Sequence, residues 1–598
     1  MDISKKQRKY IRKNLGRFSI SEIANNLEID EKELFEYCKK NYPNNNLSKQ
    51  EGGNNTNNKG FLSFILSNWK QLLFLTILTI IVYTNSLTGD FLSDDIAGIR
   101  NNPTINDSQF FFSSPVFFNF PALLTFLTHK IFGFNTFYYH LTNVLFHLGS
   151  GFLVYAICLL YFFPNSVISL FAASLFIVHP LQTEAVTWIS GRPYSISAFF
   201  ALLSFFCYLL SKKLKVFYFI SLISFYIALM GLEKLVFLPF LFVFYEIFFG
   251  SFKKNIVKFI PFFIISGLYG LRLVGLAGVR TAALEASYYQ QPGYDNLFLK
   301  IPLAVTSYLE LIFFPKDLTL YHSNLLSYEE YVIRAVVFIF LLIGAFFIFK
   351  KEKKVFFWII FFLIPLLPTL TPLRVGWVVA ERYVYLSALG IYIIAAFFIF
   401  KIGAKSNNKN ISWIIFILIL VVLSLRTITR NSDWKDADTL WVSMAKSSPY
   451  SPQNHNNLGD VYYKRGDYDR AILEFQTAIK LNPRYGDAFH NLANVYLLTG
   501  KQDLAIENYQ KAISINPKIW ETHQNLAHIY FSQKKYEFAL DSLNKAIELN
   551  PTSYDLYYNL GVVYLSLGKK QEAKEALNKS AVLNPSDNKA KQLLQQIK

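Results

Sequence analysis

Cysteine is nearly absent from this chain, with three residues in 598. Cys38 lies in a polar N-terminal stretch, and Cys158 and Cys207 lie inside apolar runs. Neither a disulfide framework nor a cysteine-based metal centre can be built from them. The first 60 residues contain no long apolar run, so a cleavable signal peptide is not expected, and the first run beyond them should act as an uncleaved anchor. Acidic residues are also in deficit, 41 against 59 Lys and Arg, which leaves a formal charge of +18. That excess does not point to nucleic acid, which is not expected as a partner. Much of it sits in the N-terminal tail and in short loops between apolar blocks, the pattern of cytoplasmic loops in membrane proteins.

What the chain has in abundance is apolar and aromatic surface. It is 53% hydrophobic and 17% aromatic, with 59 Phe and 37 Tyr. The apolar residues come in blocks of about 17–22, the length that crosses a hydrocarbon core. The blocks fall at 70–86, 140–162, 165–178, 194–211, 215–231, 234–250, 257–276, 332–350, 354–372, 384–401 and 411–427, which predicts about eleven spans. The lysine clusters 212/213/215, 253/254/258, 350/351/353/354 and 401/405/409 then share one side with the N-terminus, assigned as cytoplasmic. Loops 87–139, 179–193, 277–331 and 373–383, and everything after 428, are expected on the outer or lumenal side. Stretches 121–134 and 297–314 read as helices lying on that surface.

Four regions follow. Residues 1–40 form a small cytosolic helical module, patterned like a helix-turn-helix although Glu28 stands where a turn glycine is common. It reads as a docking arm in preference to a DNA reader. Residues 41–60 are an Asn/Gly-rich flexible linker, 61–428 a multi-span membrane domain, and 429–598 a repeat domain.

The repeat domain is set out by its period. Pro449, Pro483, Pro517, Pro551 and Pro585 recur at one constant step, and so do Ala471, Ala505, Ala539 and Ala573. Leu458, Leu492, Leu526 and Leu560 keep the same step, as do Tyr462, Tyr496, Tyr530 and Tyr564. A step of about 34 positions is that of the tetratricopeptide repeat, here in four copies across about 452–587. Ala437, Trp441 and Pro449 fit the second helix of a partial fifth copy, whose first helix would fall near the last span. The array is therefore expected to stack on the membrane domain, and surfaces of this kind bind peptides or proteins. The fold class expected is all-α: a polytopic helical domain followed by an α-solenoid.

Three polar clusters interrupt the apolar sequence on the expected outer face. The acid pair Asp94-Asp95 follows the first span, and carboxylates beside a membrane are costly enough to suggest a site. The segment HPLQTEAVTWISGRP carries His179, Glu184, Trp188 and Arg192. AERYVY places Glu381, Arg382 and Tyr383 at the mouth of a later span. Read singly, these are also what a helix cap, a loop or a structural ion pair looks like.

Several landmarks in order resemble a known family: F-x-x-DD near 91–95, FYYHLTNVLFH (137–147), HPLQTEAVTWISGR (179–192), YLELIFFPKDL (308–318), VVAERYVYLSALG (378–390) and RNSDWKDADTLW (430–441). The chain resembles the transmembrane and tetratricopeptide repeat-containing O-mannosyltransferases and their prokaryotic relatives, within the GT-C class of polyprenyl-phosphate-dependent glycosyltransferases. Two departures stand out: Phe120-Pro121 in place of an Arg-Pro, and Leu232-Glu233-Lys234 where a Lys-Glu is expected at 232–233.

The resemblance implies transfer of a sugar, mannose by family, from a polyprenyl-phosphate donor to a Ser/Thr hydroxyl of a polypeptide held by the repeats. Asp94 or Asp95 would be the general base. Arg382 would grip the leaving phosphate, with Arg192 second and Arg272 and Arg280 in reserve. Glu381 would orient Arg382, Glu184 would serve the acceptor or a divalent ion, and His179 and Tyr383 would support the site. No ligand spacing singles out a metal site, and the cofactor question stays open. The site would face the outside of the plasma membrane in a prokaryote and the lumen of the endoplasmic reticulum otherwise. The competing readings are a non-catalytic membrane-anchored scaffold and a transporter; against the latter, no duplication of spans is visible.

Overall fold

The computed structural model describes residues 7–8, 10–11, 15, 20–27, 29–42, 61–113, 119–286, 297–322, 328–370, 378–406, 409–586 and 588–597. Among them there is no strand. The chain divides into two compact units, 1–74 and 75–598. In the first, helices Ile20–Leu27 and Glu31–Asn41 bring together Ile11, Ile20, Ile23, Ala24, Leu34 and Cys38 in a small core. Most of the stretch expected to be a linker, 43–60, and the turn position Glu28 lie outside the described residues.

In the second unit the apolar blocks are helices, and length decides what each can do. Among the described residues, eight helices are long and apolar enough to cross a membrane, the first of them beginning in the first unit. They are Ser63–Thr88, Thr136–Phe162, Ile189–Leu210, Phe252–Arg272, Tyr328–Lys351, Lys353–Leu370, Ala388–Lys405 and Asn410–Asp433. A ninth arises if the bent pair Ser166–Val178 and Pro180–Val186 is one span. The expected blocks 215–231 and 234–250 fold as helices Val216–Gly231 and Pro239–Phe249, of 16 and 11 residues. At a rise of about 1.5 Å per residue, both fall short of a hydrocarbon core about 30 Å thick. Pro239 opens the second of them, and the residues before it form a separate 3-10 turn, Glu233–Phe237, so the apolar run is split. The expected surface stretches appear as Phe120–Phe132 and Leu297–Phe313.

The break at 178–180 has a local cause. Proline disfavours the helical conformation in the residue before it, and His179 is accordingly extended (φ −71°, ψ 128°), bending the pair by 51°. Its ring pins the bend: Nε2 donates to the Ile312 carbonyl at 2.8 Å, while Nδ1 accepts from the Leu181 amide at 3.2 Å. The last long helix lies against this bend and against the end of the first span. Asn431 Nδ2 donates to the Val82 carbonyl, Asn85 Nδ2 to the Ile428 carbonyl, each at 2.8 Å, and the Thr427 hydroxyl to the Val178 carbonyl.

The repeats are four helix pairs, beginning with Pro452–Lys464 and Tyr468–Leu481 and ending with Tyr554–Ser566 and Lys570–Leu583. Ala471, Ala505, Ala539 and Ala573 are fully buried, because only a methyl group fits where paired helices touch. The turn between paired helices needs a left-handed residue. Gly466, Gly500 and Gly568 supply it with φ of 76°, 75° and 76°, while Lys534 takes φ 58° in the third copy. The helix Ala437–Ser447 precedes the first copy, as the partial repeat requires. Its Leu440, Trp441 and Met444 share one buried cluster with Leu92, Trp188, Leu320 and Trp434 of the membrane half and Leu458 and Val461 of the first repeat. The array is thus seated on the membrane domain through a common core.

Candidate active site

The two adjacent acids have opposite environments. Asp95 is fully buried and Asp94 is exposed. Asp95 Oδ1 accepts from the Ser190 amide at 2.7 Å and from the Ser190 hydroxyl, and Oδ2 accepts from the Leu92 amide at 3.0 Å. Burial pushes its carboxyl up to about 6 against these three donors. Ser93, in the left-handed region at φ 51°, turns the chain so that neighbours in sequence face different ways. Asp95 therefore fastens the loop after the first span to the 187–192 segment, leaving Asp94 at the surface.

That segment leads to the other clusters. Trp188 Nε1 donates to the Leu92 carbonyl at 3.4 Å, its ring stacks on Trp434 at 5.8 Å between centroids, and the Arg382 guanidinium lies 5.9 Å from its centre. Gly191 closes the turn; a Cβ there would collide with the Glu184 carbonyl oxygen. Glu184 is buried and pairs with the Arg382 guanidinium, while its other oxygen accepts from the Arg382 amide at 2.7 Å. Burial is the largest influence on Arg382 and opposes its charge, but Glu184 together with Tyr194 and Tyr383 outweighs it and holds the guanidinium above its ordinary value.

Arg382 also lines a small, partly open cleft together with Tyr194, Lys234, Leu235, Tyr383 and Tyr385. Lys234 Nζ lies 3.0 Å from the centre of the Tyr383 ring, which faces Tyr194. An ammonium group thus enters the cleft from a position two residues beyond the one where the expected Lys-Glu would put it. The two charged residues in the lining, Arg382 and Lys234, are both cationic.

The structure corrects three expectations. Glu381 does not orient Arg382; Glu184 does. Glu381 and Arg382 sit in one 3-10 turn, Glu381–Val384, where consecutive side chains point about 120° apart. Glu381 instead faces Arg430, 3.4 Å away, and His322 lies 3.7 Å from the same oxygen. Arg192 does not line the cleft: its donors go to Asn143 Oδ1 at 3.2 Å, the Thr125 hydroxyl at 3.0 Å and the Tyr139 carbonyl at 3.0 Å. His179 is a pin for the helix bend. Of the reserves, Arg272 is exposed beside Tyr269, and the Arg280 side chain is outside what is described.

Arg430 is the main residue that motif reading passed over. It is fully buried, with Asp433 at 3.1 Å, Glu381 at 3.4 Å and the Trp434 ring at 5.8 Å. An arginine inside the last apolar helix was itself a signal, since such a charge requires a partner. Among the described residues no group of three or more His, Cys, Asp or Glu is placed to hold a metal ion.

Comparison with known proteins points the same way as the ordered landmarks. Models described as TPR repeat and Tetratricopeptide repeat match residues 459–500, 527–568, 486–519 and 554–587. Protein O-mannosyl-transferase F38B6.6 of Caenorhabditis elegans is 26% identical over 70% of this chain and 63% of its own length. Human protein O-mannosyl-transferase TMTC3 is 26% identical over 70% of this chain and 52% of its own. The chain thus spans between half and two thirds of these relatives, which are animal proteins and lend no support to a prokaryotic origin. Among solved structures, YrrB, a TPR protein, is 21% identical over 33% of this chain and 97% of its own, with a TM-score of 0.24. In its ordered landmarks, its apolar helices and its repeats, the chain is similar to the transmembrane and tetratricopeptide repeat-containing O-mannosyltransferases.

Proposed function

We propose that the chain is a membrane glycosyltransferase that moves a mannosyl group from a polyprenyl-phosphate carrier to a Ser or Thr hydroxyl of a polypeptide held by the repeats, on the extracytoplasmic face. The observation that carries this reading is a run of contacts, Asp95 to Ser190, Trp188 to Arg382 and Tyr383 to Lys234. It joins an exposed carboxylate on a fastened loop to a cationic, aromatic-lined cleft. Asp94 takes the proton of the acceptor hydroxyl as its oxygen bonds to the anomeric carbon and the bond to the phosphate oxygen breaks. Position supplies most of the effect, because a solvated carboxylate is a weak base. Arg382 and Lys234 receive the departing polyprenyl phosphate; Glu184 and Trp188 fix the guanidinium plane, and Asp95 fixes the loop.

The test is transfer of labelled mannose from a polyprenyl-phosphate donor in membranes. Asp94→Asn should lower turnover by about 10²–10⁴-fold, the usual share of a general base, with an unchanged melting midpoint. Full turnover in this variant removes Asp94 from the role. Full turnover in Asp95→Asn as well refutes the assignment of the base to the acid pair, whereas no transfer by the wild-type chain would leave a membrane-anchored repeat scaffold as the better description.

A further inference from the structure

Arg430 stands in the last turn of helix Lys409–Asp433, buried as completely as its partner Glu381. Asp433, on the same helix, accepts from Nη1 at 3.1 Å, which leaves Nη2 and Nε to reach away from it. What they find is poorly made for stability. One contact of 3.4 Å joins Nη2 to Glu381 Oε1, and among the described residues neither Arg430 Nε nor Glu381 Oε2 has a hydrogen-bond partner. An ion pair out of water recovers its desolvation only with good geometry and with its remaining donors and acceptors satisfied. Apolar side chains of similar size would hold such a core as well or better. The charge at this position therefore calls for a cause outside packing.

The contacts around the pair form a closed circuit that passes through the cleft. The Arg430 guanidinium lies 5.8 Å from the centre of the Trp434 ring, and Trp434 stacks on Trp188 with 29° between their planes. The Arg382 guanidinium lies 5.9 Å from the centre of Trp188. Arg382 follows Glu381 in the 3-10 turn Glu381–Val384, and Glu381 leads back to Arg430. Arg382 is thus held in three ways. Glu184 sets which way its guanidinium points. Trp188 lies beside the guanidinium, braced by Trp434. Arg430, through Glu381, pins the turn that carries it.

We infer that Arg430 is a positioning residue for the phosphate grip, acting by fixing the turn that carries Arg382 and the indole stack beside it. It is not itself part of the cleft lining. A guanidinium that binds phosphate through two parallel hydrogen bonds tolerates little error in position, since both must align at once. The residue that places it belongs to the helix leading into the mount of the repeats, and its Nη2 lies 4.0 Å from Met444 Sδ in that mount. One segment thus seats the array and sets the grip on the donor. This deepens the reading above and rests on it for the ligand, a polyprenyl phosphate.

The test is binding to the full chain in detergent, with farnesyl phosphate and farnesol as probes and no sugar present. The two share a chain and differ in the phosphate, so the ratio of their Kd values reads the grip alone. Arg430→Met with Glu381→Leu removes the pair without stranding either buried charge, and should keep the melting midpoint. It should weaken farnesyl phosphate by about tenfold or more, the size of a hydrogen bond to a charged group, and move farnesol by less than about twofold. Glu381→Gln keeps an acceptor for Arg430 and His322 and is the milder companion should the pair prove necessary for folding. It should weaken farnesyl phosphate by about threefold and leave farnesol unchanged. In an Arg382→Ala background neither change should weaken farnesyl phosphate further, because the group they place is gone. Equal loss for both probes marks a merely structural role and overturns the inference. So do an unchanged ratio, effects that add in full to that of Arg382→Ala, and a wild-type chain that binds both probes alike. Binding that obeys these relations in a chain that transfers no mannose leaves the inference standing and strikes the reading above. Transfer with a ratio insensitive to Arg430 does the reverse.

Discussion

The two halves of the second unit handle charge in opposite ways. The membrane half buries Asp95, Glu184, Arg192, Glu246, Lys300, Glu381 and Arg430. Beyond Arg430, no Asp, Glu, Lys or Arg among the described residues is buried; the repeats keep theirs on the surface, as in the Lys464–Asp460, Lys511–Glu507 and Lys545–Asp541 pairs. Burying an ion costs several kcal/mol before any partner repays it. A domain that does so repeatedly uses stability to fix groups in place. The repeat half is held by alanine, leucine and aromatic packing and uses charge for little beyond solubility.

The sharpest break of this contrast comes from removing one member of a buried pair. Glu184→Ala leaves Arg382 without its carboxylate and should cost about 3–5 kcal/mol, visible as a lower melting midpoint in detergent together with lost transfer. Next comes the core shared by the two halves. Trp434→Ala removes the ring stacked on Trp188 and should cost about 3 kcal/mol or more, with new proteolytic cleavage between 434 and 452 as the readout. An intact, protected junction would mean that the Trp188–Trp434 stack does not hold the halves together, and cleavage there already in the wild-type chain would mean that the array is only tethered.

A smaller effect concerns the buried acid of the pair. Folding raises the Asp95 carboxyl from 3.8 to about 6, so the folded state holds the proton more tightly. Its contribution to stability is full below about pH 4 and is lost as pH rises through about 6. The wild-type chain should lose on the order of 2 kcal/mol between about pH 4 and pH 7 from this group, and Asp95→Asn should flatten that dependence of the melting midpoint. The smallest effect tests the other half. Lys511→Ala breaks an exposed pair and should shift stability by less than about 0.5 kcal/mol.

Much of this molecule could be read before its coordinates. A fixed period sets neighbours by repetition, so the repeat helices, their alanine contacts and the seat on the membrane domain followed from position alone. The three polar clusters were also visible, because charge in apolar sequence needs a reason. What sequence order did not reveal was direction. Asp94 and Asp95 are adjacent, yet one left-handed residue sends them to different media. Glu381 is adjacent to Arg382, yet a 3-10 turn points it at Arg430, and Arg382 draws its partner from 198 positions upstream. Nor did hydropathy separate a crossing from a short helix, since Val216–Gly231 and Pro239–Phe249 are as apolar as their longer neighbours and differ only in extent.

The buried cluster under the first repeat also sets a distance. Trp441 and Met444 are locked into the same core as Leu92, just before the exposed Asp94. The first repeat is therefore held in a fixed place relative to the loop that carries Asp94. Under the proposed function the array would act as a ruler, setting a constant offset between the hydroxyl that is modified and the segment that is held.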